Sequence, residues 1–167
     1  AWGGVLAYSL QLYFDFSGYS DMAIGLGCVF GLKLPLNFAS PFKATSISDF
    51  WRRWHITMSR FFTNYIYTPL AMNGMRWSLA RRQPVLVRTL VAGALPALIT
   101  FLVAGIWHGA GWTFVIYGVL HGIAIAVNLV WRDAGPFRVP AVLGWLMTMS
   151  VVVSGLVIFR APNVDTA

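Results

Sequence analysis

Long apolar runs, punctuated by short clusters of Gly, Pro and basic residues, set the pattern of this chain. Ala1–Phe14 is an apolar stretch rich in Leu and Tyr and interrupted by Gln11; FDFSGYSD (Phe14–Asp21) follows, and then a second apolar run, Met22–Leu34. Together they predict one long or broken helix with a polar band. Gln11, Asp15 and Tyr19 recur at helical spacing on one face. Asp15 can line a cavity there or pair with a basic residue elsewhere. Pro35 and Pro41 forbid a regular helix through Lys33–Lys43. Thr45–Phe62 (TSISDFWRRWHITMSRFF) starts with cap-type residues, with Ser48 or Asp49 expected to take the first free N–H groups. Its aromatic residues interleave with Arg52, Arg53, His55 and Arg60. That mixture predicts an interfacial helix with rings at headgroup depth and arginines reaching water or phosphate.

Further along, Asn64–Leu70 continues apolar and aromatic up to Pro69, and Ala71–Gln83 reads as a basic loop. Pro84–Trp107 predicts a membrane helix kinked at Pro96, and His108–Gly111 breaks it. Trp112–Trp131 and Ala141–Phe159 predict two more, joined by the turn Arg132–Pro140, which includes Pro136. With the first long helix this makes four. The expected fold class is all-α, a polytopic transmembrane helix bundle with interfacial helices, and residues 1–167 form part of one membrane domain.

Composition agrees. The 167 residues are 58% hydrophobic and 10% charged, with a mean hydropathy of +0.69. A soluble domain carries about 25% charged residues. Several runs approach the roughly 20 residues that cross a bilayer as a helix, and lone spanning segments satisfy their backbone only as helices. The formal charge is +7, yet no nucleic-acid motif is present and no nucleic-acid partner is expected. Nine of the twelve basic residues fall between Lys33 and Arg88, which places that interval on the cytoplasmic side and His108 towards the outer side. The single cysteine, Cys28, excludes an intrachain disulfide framework. No initiating methionine and no basic n-region precede Trp2–Phe14, so a longer polytopic parent is expected.

Candidate chemistry centres on AGIWHGAGWTFVIYGVLHG (Ala104–Gly122), which sets His108 among glycines and tryptophans between two apolar runs. An ionisable group there is costly and reads as functional. His108 and His121 are 13 positions apart, which is not a helical metal pair. One cysteine and no glutamate leave no metal site and no bound cofactor expected. No G-x-S-x-G elbow or nucleotide fingerprint occurs. A histidine acting as general base remains. Gly109 and Gly111 offer φ > 0 and room beside it. From the residues alone, His108 reads equally as a core histidine bonded to a carbonyl. His55 reads as headgroup-facing, and His121 as a hydrogen-bond partner for a neighbouring helix.

Three segments together resemble the membrane-bound O-acyltransferase family: YFDFSGYSDMAIGLG (Tyr13–Gly27), LNFASPFKATSISDFWRRWHITMSRFFTNYIYTPL (Leu36–Leu70) and GIWHGAGWTFVIYGVLHG (Gly105–Gly122). The bacterial alginate O-acetylation branch looks nearest, with teichoic-acid D-alanylation as its sibling. The family pattern is departed from at Thr63–Asn64 and at Ala71–Gly74. The resemblance implies transfer of an acetyl group from a cytoplasmic thioester donor, acetyl-coenzyme A or an acyl carrier, towards hydroxyls of an extracellular polysaccharide. It implies His108 as the principal histidine and His55 as a second functional position. It further implies donor-side contacts in the basic segment around Arg53. Thioester attack builds an oxyanion, for which Trp107 or Trp112, or backbone N–H groups of His108–Gly111, are candidate donors. The expected setting is the bacterial inner membrane. The expected partners are membrane lipids, the donor or its carrier on the cytoplasmic side, and periplasmic or extracellular polysaccharide-modifying proteins. A transporter or scaffold using Asp15 and Asp21 is the rival reading.

Overall fold

The computed structural model describes residues 2–135 and 137–166. Ala1, Pro136 and Ala167 lie outside the described residues. Helix α1 (Trp2–Val29) runs unbroken for 28 residues. The polar band therefore sits within one helix. Its inward face carries Ser9, Tyr13, Phe16 and Ser20, at helical three-to-four spacing, while Gln11, Asp15, Tyr19 and Asp21 are exposed. Periodicity found the stripe at Gln11, Asp15 and Tyr19 but not which way it points.

Pro35 and Pro41 keep the following stretch out of regular helix, as expected. The single helix predicted across Thr45–Phe62 is instead two, α2 (Ile47–Trp51) and α3 (Ile56–Phe62). Between them the chain turns at Arg52–His55, and His55 takes a left-handed conformation with φ 44° and ψ 54°. Ser46, two residues before Ser48 and three before Asp49, is the cap of α2: its hydroxyl accepts the Asp49 N–H at 3.1 Å. Of the rings expected at headgroup depth, all but Phe61 are buried. Phe50 is 2% exposed and Trp51 and Trp54 are each 7% exposed. They pack with Tyr117, Val152 and Leu156 of the later helices.

From α3 the helix continues through a wider π-turn (Thr63–Tyr67) into α4 (Thr68–Ala80). Neither Pro69 nor the basic residues end it, so most of the predicted loop Ala71–Gln83 is helical. The next rod matches: α5 (Val85–Thr89), a π-turn at Leu90–Ala94, then α6 (Leu95–His108). In each rod the π-turn closes two residues before a proline, Pro69 or Pro96. Proline lacks the N–H that an α-helical register would use, and the i→i+5 bond of a π-turn lets the helix continue past it. Ile56–Ala80 spans 25 residues and Val85–His108 spans 24, joined by a short turn. Two antiparallel rods of nearly equal length bring their far ends, His55 and His108, to the same end of the bundle.

Helix α7 (Trp112–Ala134) returns alongside α6, and α8 (Ala141–Arg160) returns alongside α7. Small residues set the α6–α7 crossing. A Cβ on Gly105 would run into the Phe114 carbonyl oxygen, and one on Gly118 into that of Phe101. Among the described residues, three helical segments are long and apolar enough to cross a membrane: Val85–His108, Trp112–Ala134 and Ala141–Arg160. Helix α1 has the length, but its polar band keeps it outside this set. Arg81, Arg82, Arg88, Arg132 and Arg138 gather at one end of the bundle, where α4, α7 and the approach to α8 turn. Arg52 and Arg53 are carried away from that end by the α2–α3 hairpin, so the basic interval does not lie wholly on one side.

Candidate active site

His108 is the last residue of α6, as the sequence suggests, and α7 restarts at Trp112. Its half-buried ring meets Phe159 edge-on at 5.1 Å and Tyr117 at 6.2 Å, and stacks towards Phe114 at 6.5 Å. Aromatic residues from α7 and α8 thus form a box around the imidazole. The glycines beside it matter for space and not for a left-handed turn. Gly109 is extended (φ 162°, ψ 166°) and Gly111 has φ −83°. A Cβ on Gly109 would lie 2.6 Å from Cε2 of Phe114, the ring that stacks on His108.

His55 reaches the same end from the hairpin. Phe16 of α1 packs edge-on against its ring at 4.7 Å. Nδ1 lies 3.1 Å from Oδ1 of Asn37. Burial, with the nearby charge of His108 second, pushes the His55 pKa down from 6.5 to about 4. The ring is neutral at pH 7, hence able to accept a proton. The His108 charge thus acts on His55 from the same end of the bundle.

A cavity of about 550 Å³ runs between the hairpin and the spanning helices. Its lining starts near Ser48, Tyr67 and Leu129 and reaches Ile56, next to His55, and Ala104, one helical turn from His108. Phe101, Thr100 and Ala97 form its apolar floor, and Arg52 and Arg60 stand on its walls.

The other expected residues divide. Trp107 and Trp112 flank the break at His108 and are 61% and 74% exposed. Gly109 N–H is already donated to the Ile106 carbonyl at 3.2 Å, which removes it as an oxyanion donor. Arg53 is engaged within the hairpin, donating to Asp49 Oδ2 at 2.9 Å and to the Ala39 carbonyl at 3.3 Å. Asp15 lies on the exposed side of α1, while its neighbour Phe16 faces His55. Neither Asp15 nor Asp21 is in an ion pair among the described residues. His121 bonds to a neighbouring element as expected: Trp51 Nε1 donates to its Nδ1 at 3.2 Å. No group of three or more His, Cys, Asp or Glu able to hold a metal ion occurs among the described residues.

The family model for MBOAT, the membrane-bound O-acyltransferase family, matches residues 1–165. The chain belongs to the membrane-bound O-acyltransferase family. Among its MBOAT relatives, a peptidoglycan O-acetyltransferase of Helicobacter pylori is 49% identical over 170 residues, covering all of this chain and 30% of the relative. A probable alginate O-acetylase, AlgI, of Pseudomonas aeruginosa is 43% identical over 170 residues, again covering all of this chain and 30% of the relative. A teichoic acid D-alanyltransferase of Streptococcus thermophilus is 32% identical over 129 residues, covering 77% of this chain and 30% of the relative. The chain thus spans about 30% of the length of these relatives.

Within this MBOAT segment, sequence reasoning missed Asn37 and Phe16, which hold the His55 ring. Asn37 sits in a proline-bounded stretch that read only as punctuation. The local signal was its nearness to Pro35 and Pro41, which fix an extended path but name no partner. Ser20 of α1 accepts a hydrogen bond from Asn37 Nδ2 at 3.2 Å, a contact that spacing along the chain does not reveal.

Proposed function

We propose that the full-length protein is a membrane O-acyltransferase of the bacterial inner membrane. It moves an acetyl group from a cytoplasmic thioester, acetyl-coenzyme A or an acyl carrier, towards hydroxyls of an extracellular polysaccharide such as alginate. The observation that carries this reading is the placing of His55 and His108 at one end of the bundle, with Ile56 beside the first and Ala104 one turn from the second both lining the cavity. The O-acetyltransferase names of the more similar relatives favour acetyl, and the D-alanyltransferase relative is less similar over less of the chain.

A hydroxyl becomes a useful nucleophile when a positioned base takes its proton in the transition state, a contribution of about 10²–10⁴ in rate. His108 takes the hydroxyl proton as the oxygen forms its bond to the thioester carbonyl carbon. The C–S bond then breaks, and the departing thiolate takes the proton from the imidazolium. Water excluded by the aromatic box limits hydrolysis of the thioester. His55, neutral and at the same end as His108, lines the donor path where it reaches the reacting centre. The basic end of the bundle faces the cytoplasm. From there the donor's chain enters the 550 Å³ cavity and passes Arg52 and Arg60 on its walls. Membrane lipids surround the bundle, and polysaccharide-modifying proteins on the outer side receive or direct the acetyl group.

Purified full-length protein given acetyl-coenzyme A or an acetylated carrier, labelled in the acetyl group, tests the reading. Loss of label from the thioester and its appearance on a hydroxyl acceptor is the expected result. An intact thioester, with a solute or ion moved across the vesicle instead, would favour a transporter.

A further inference from the structure

Asn37 is the hub of the hydrogen bonds behind His55. Its Oδ1 accepts the Thr57 backbone N–H at 3.2 Å and the Thr57 hydroxyl at 2.9 Å, and lies 3.1 Å from His55 Nδ1. Its Nδ2 donates to Ser20 Oγ at 3.2 Å, and its backbone carbonyl accepts the Ile56 N–H at 2.9 Å. The orientation of this amide is fixed by chemistry. A backbone N–H only donates, so the side-chain atom facing Thr57 N is the carbonyl oxygen. An oxygen that only accepts can hold Nδ1 only if Nδ1 carries a hydrogen. A neutral imidazole has one N–H, so Nε2, on the ring's other edge, carries the lone pair.

The backbone agrees with a placed ring. His55 is one of three non-glycine residues with positive φ among the described residues, a conformation kept where surrounding structure over-determines it. Asn37 captures the first two N–H groups of α3 on one side of that turn, while Phe16 packs against the ring on another.

We propose that Asn37 is a positioning residue of the acyltransfer site, which holds neutral His55 in the Nδ1–H tautomer and turns the lone pair of Nε2 away from the hairpin. The proposal rests on the reading of His55 as part of the site, and specifies which nitrogen serves it. Nε2 then acts only as a hydrogen-bond acceptor or base towards a thiol, a hydroxyl or a protonated His108. A side chain that merely capped α3 would have no reason to select a tautomer.

The test is ¹⁵N magnetic resonance of the full-length protein with labelled histidine, His55 being assigned by the signal lost in His55→Gln. At pH 7 the expected spectrum has a proton on Nδ1 and a bare Nε2. In Asn37→Ala the proton is expected to redistribute towards Nε2, and in Asn37→Asp, which keeps the acceptor oxygen, to stay on Nδ1. Acetyl transfer should fall at least tenfold in kcat for Asn37→Ala, with the KM for the donor little changed, and recover in part in Asn37→Asp. A wild-type ring protonated on Nε2 would overturn the proposal, even if no variant could be purified. So would an Asn37→Ala ring still protonated only on Nδ1. If the tautomer is as expected but His55→Gln transfers acetyl at the wild-type rate, the tautomer assignment stands. The place of His55 in the acyltransfer site, and with it Asn37 as a positioning residue of that site, is then overturned.

Discussion

Trp51 and His121 join the hairpin to the spanning helix α7 through one buried hydrogen bond, indole Nε1–H to imidazole Nδ1 at 3.2 Å. Because Nδ1 accepts, the ring's own hydrogen is on Nε2. That atom is buried without a hydrogen-bond partner and lies against Gly155, where a Cβ would come within 2.6 Å of it. The pair thus ties the hairpin to both α7 and α8.

Trp51→Phe leaves Nδ1 of a ring that is only 1% exposed without its donor. Removing one partner of a buried bond costs about 1–3 kcal/mol, whereas replacing both by apolar groups can be nearly neutral. Thermal unfolding of full-length protein in detergent is therefore expected to show Trp51→Phe and His121→Leu each clearly destabilised. The double variant should be less so than the sum of the two. Strict additivity would mean that the bond contributes nothing.

Gly118→Ala puts a methyl group into the Phe101 carbonyl at the α6–α7 crossing. Backbone cannot step aside as a flexible side chain does, so the helices must separate. Overpacking of this kind costs about 1–3 kcal/mol, and His108, at the end of α6, moves with it. A lowered unfolding temperature together with slower acetyl transfer is the expected outcome. An unchanged unfolding temperature would show that the crossing is looser than its glycines indicate.

The low proton affinity of His55 has a definite sign in stability. The unfolded chain binds this proton near pH 6.5, the folded chain near pH 4, so the unfolded state gains protons first on acidification. The contribution is fully present above pH 6.5, erodes below it, and is lost as the pH passes about 4. Unfolding temperatures of wild type and His55→Gln, compared at pH 7.5 and pH 4.5, should show the wild type losing more over that interval. An equal loss would mean that the ring is not held neutral by the fold.

Where the chain's own pattern carried the information, the fold was readable. The run Pro84–Trp107, the break at His108 and the restart at Trp112 follow from apolar length and a glycine cluster, and so does the placing of His108 at a helix end. The hairpin was not readable. Its break depends on the left-handed turn at His55 and on Asn37, 18 positions away, closing it. Aromatic residues with arginines look alike whether they lie on a membrane surface or fill a core. Only the packing of Phe50, Trp51 and Trp54 against α7 and α8 distinguishes the two. Pro69 misled for a related reason, since the π-turn at Thr63–Tyr67 absorbs a residue that otherwise ends a helix. Asp15 shows the limit of periodicity: spacing defines a face, and only partners distant in sequence decide whether that face turns inward.

The most direct measurement is acetyl transfer from labelled donor to polysaccharide by the full-length protein with His108→Ala, alongside proof of normal insertion and an unchanged unfolding temperature. The expected result is a fall in kcat of about 10²–10⁴, the size of a general base's contribution, with donor binding retained. Transfer at the wild-type rate by a normally inserted His108→Ala protein would contradict the assignment of His108 as the base.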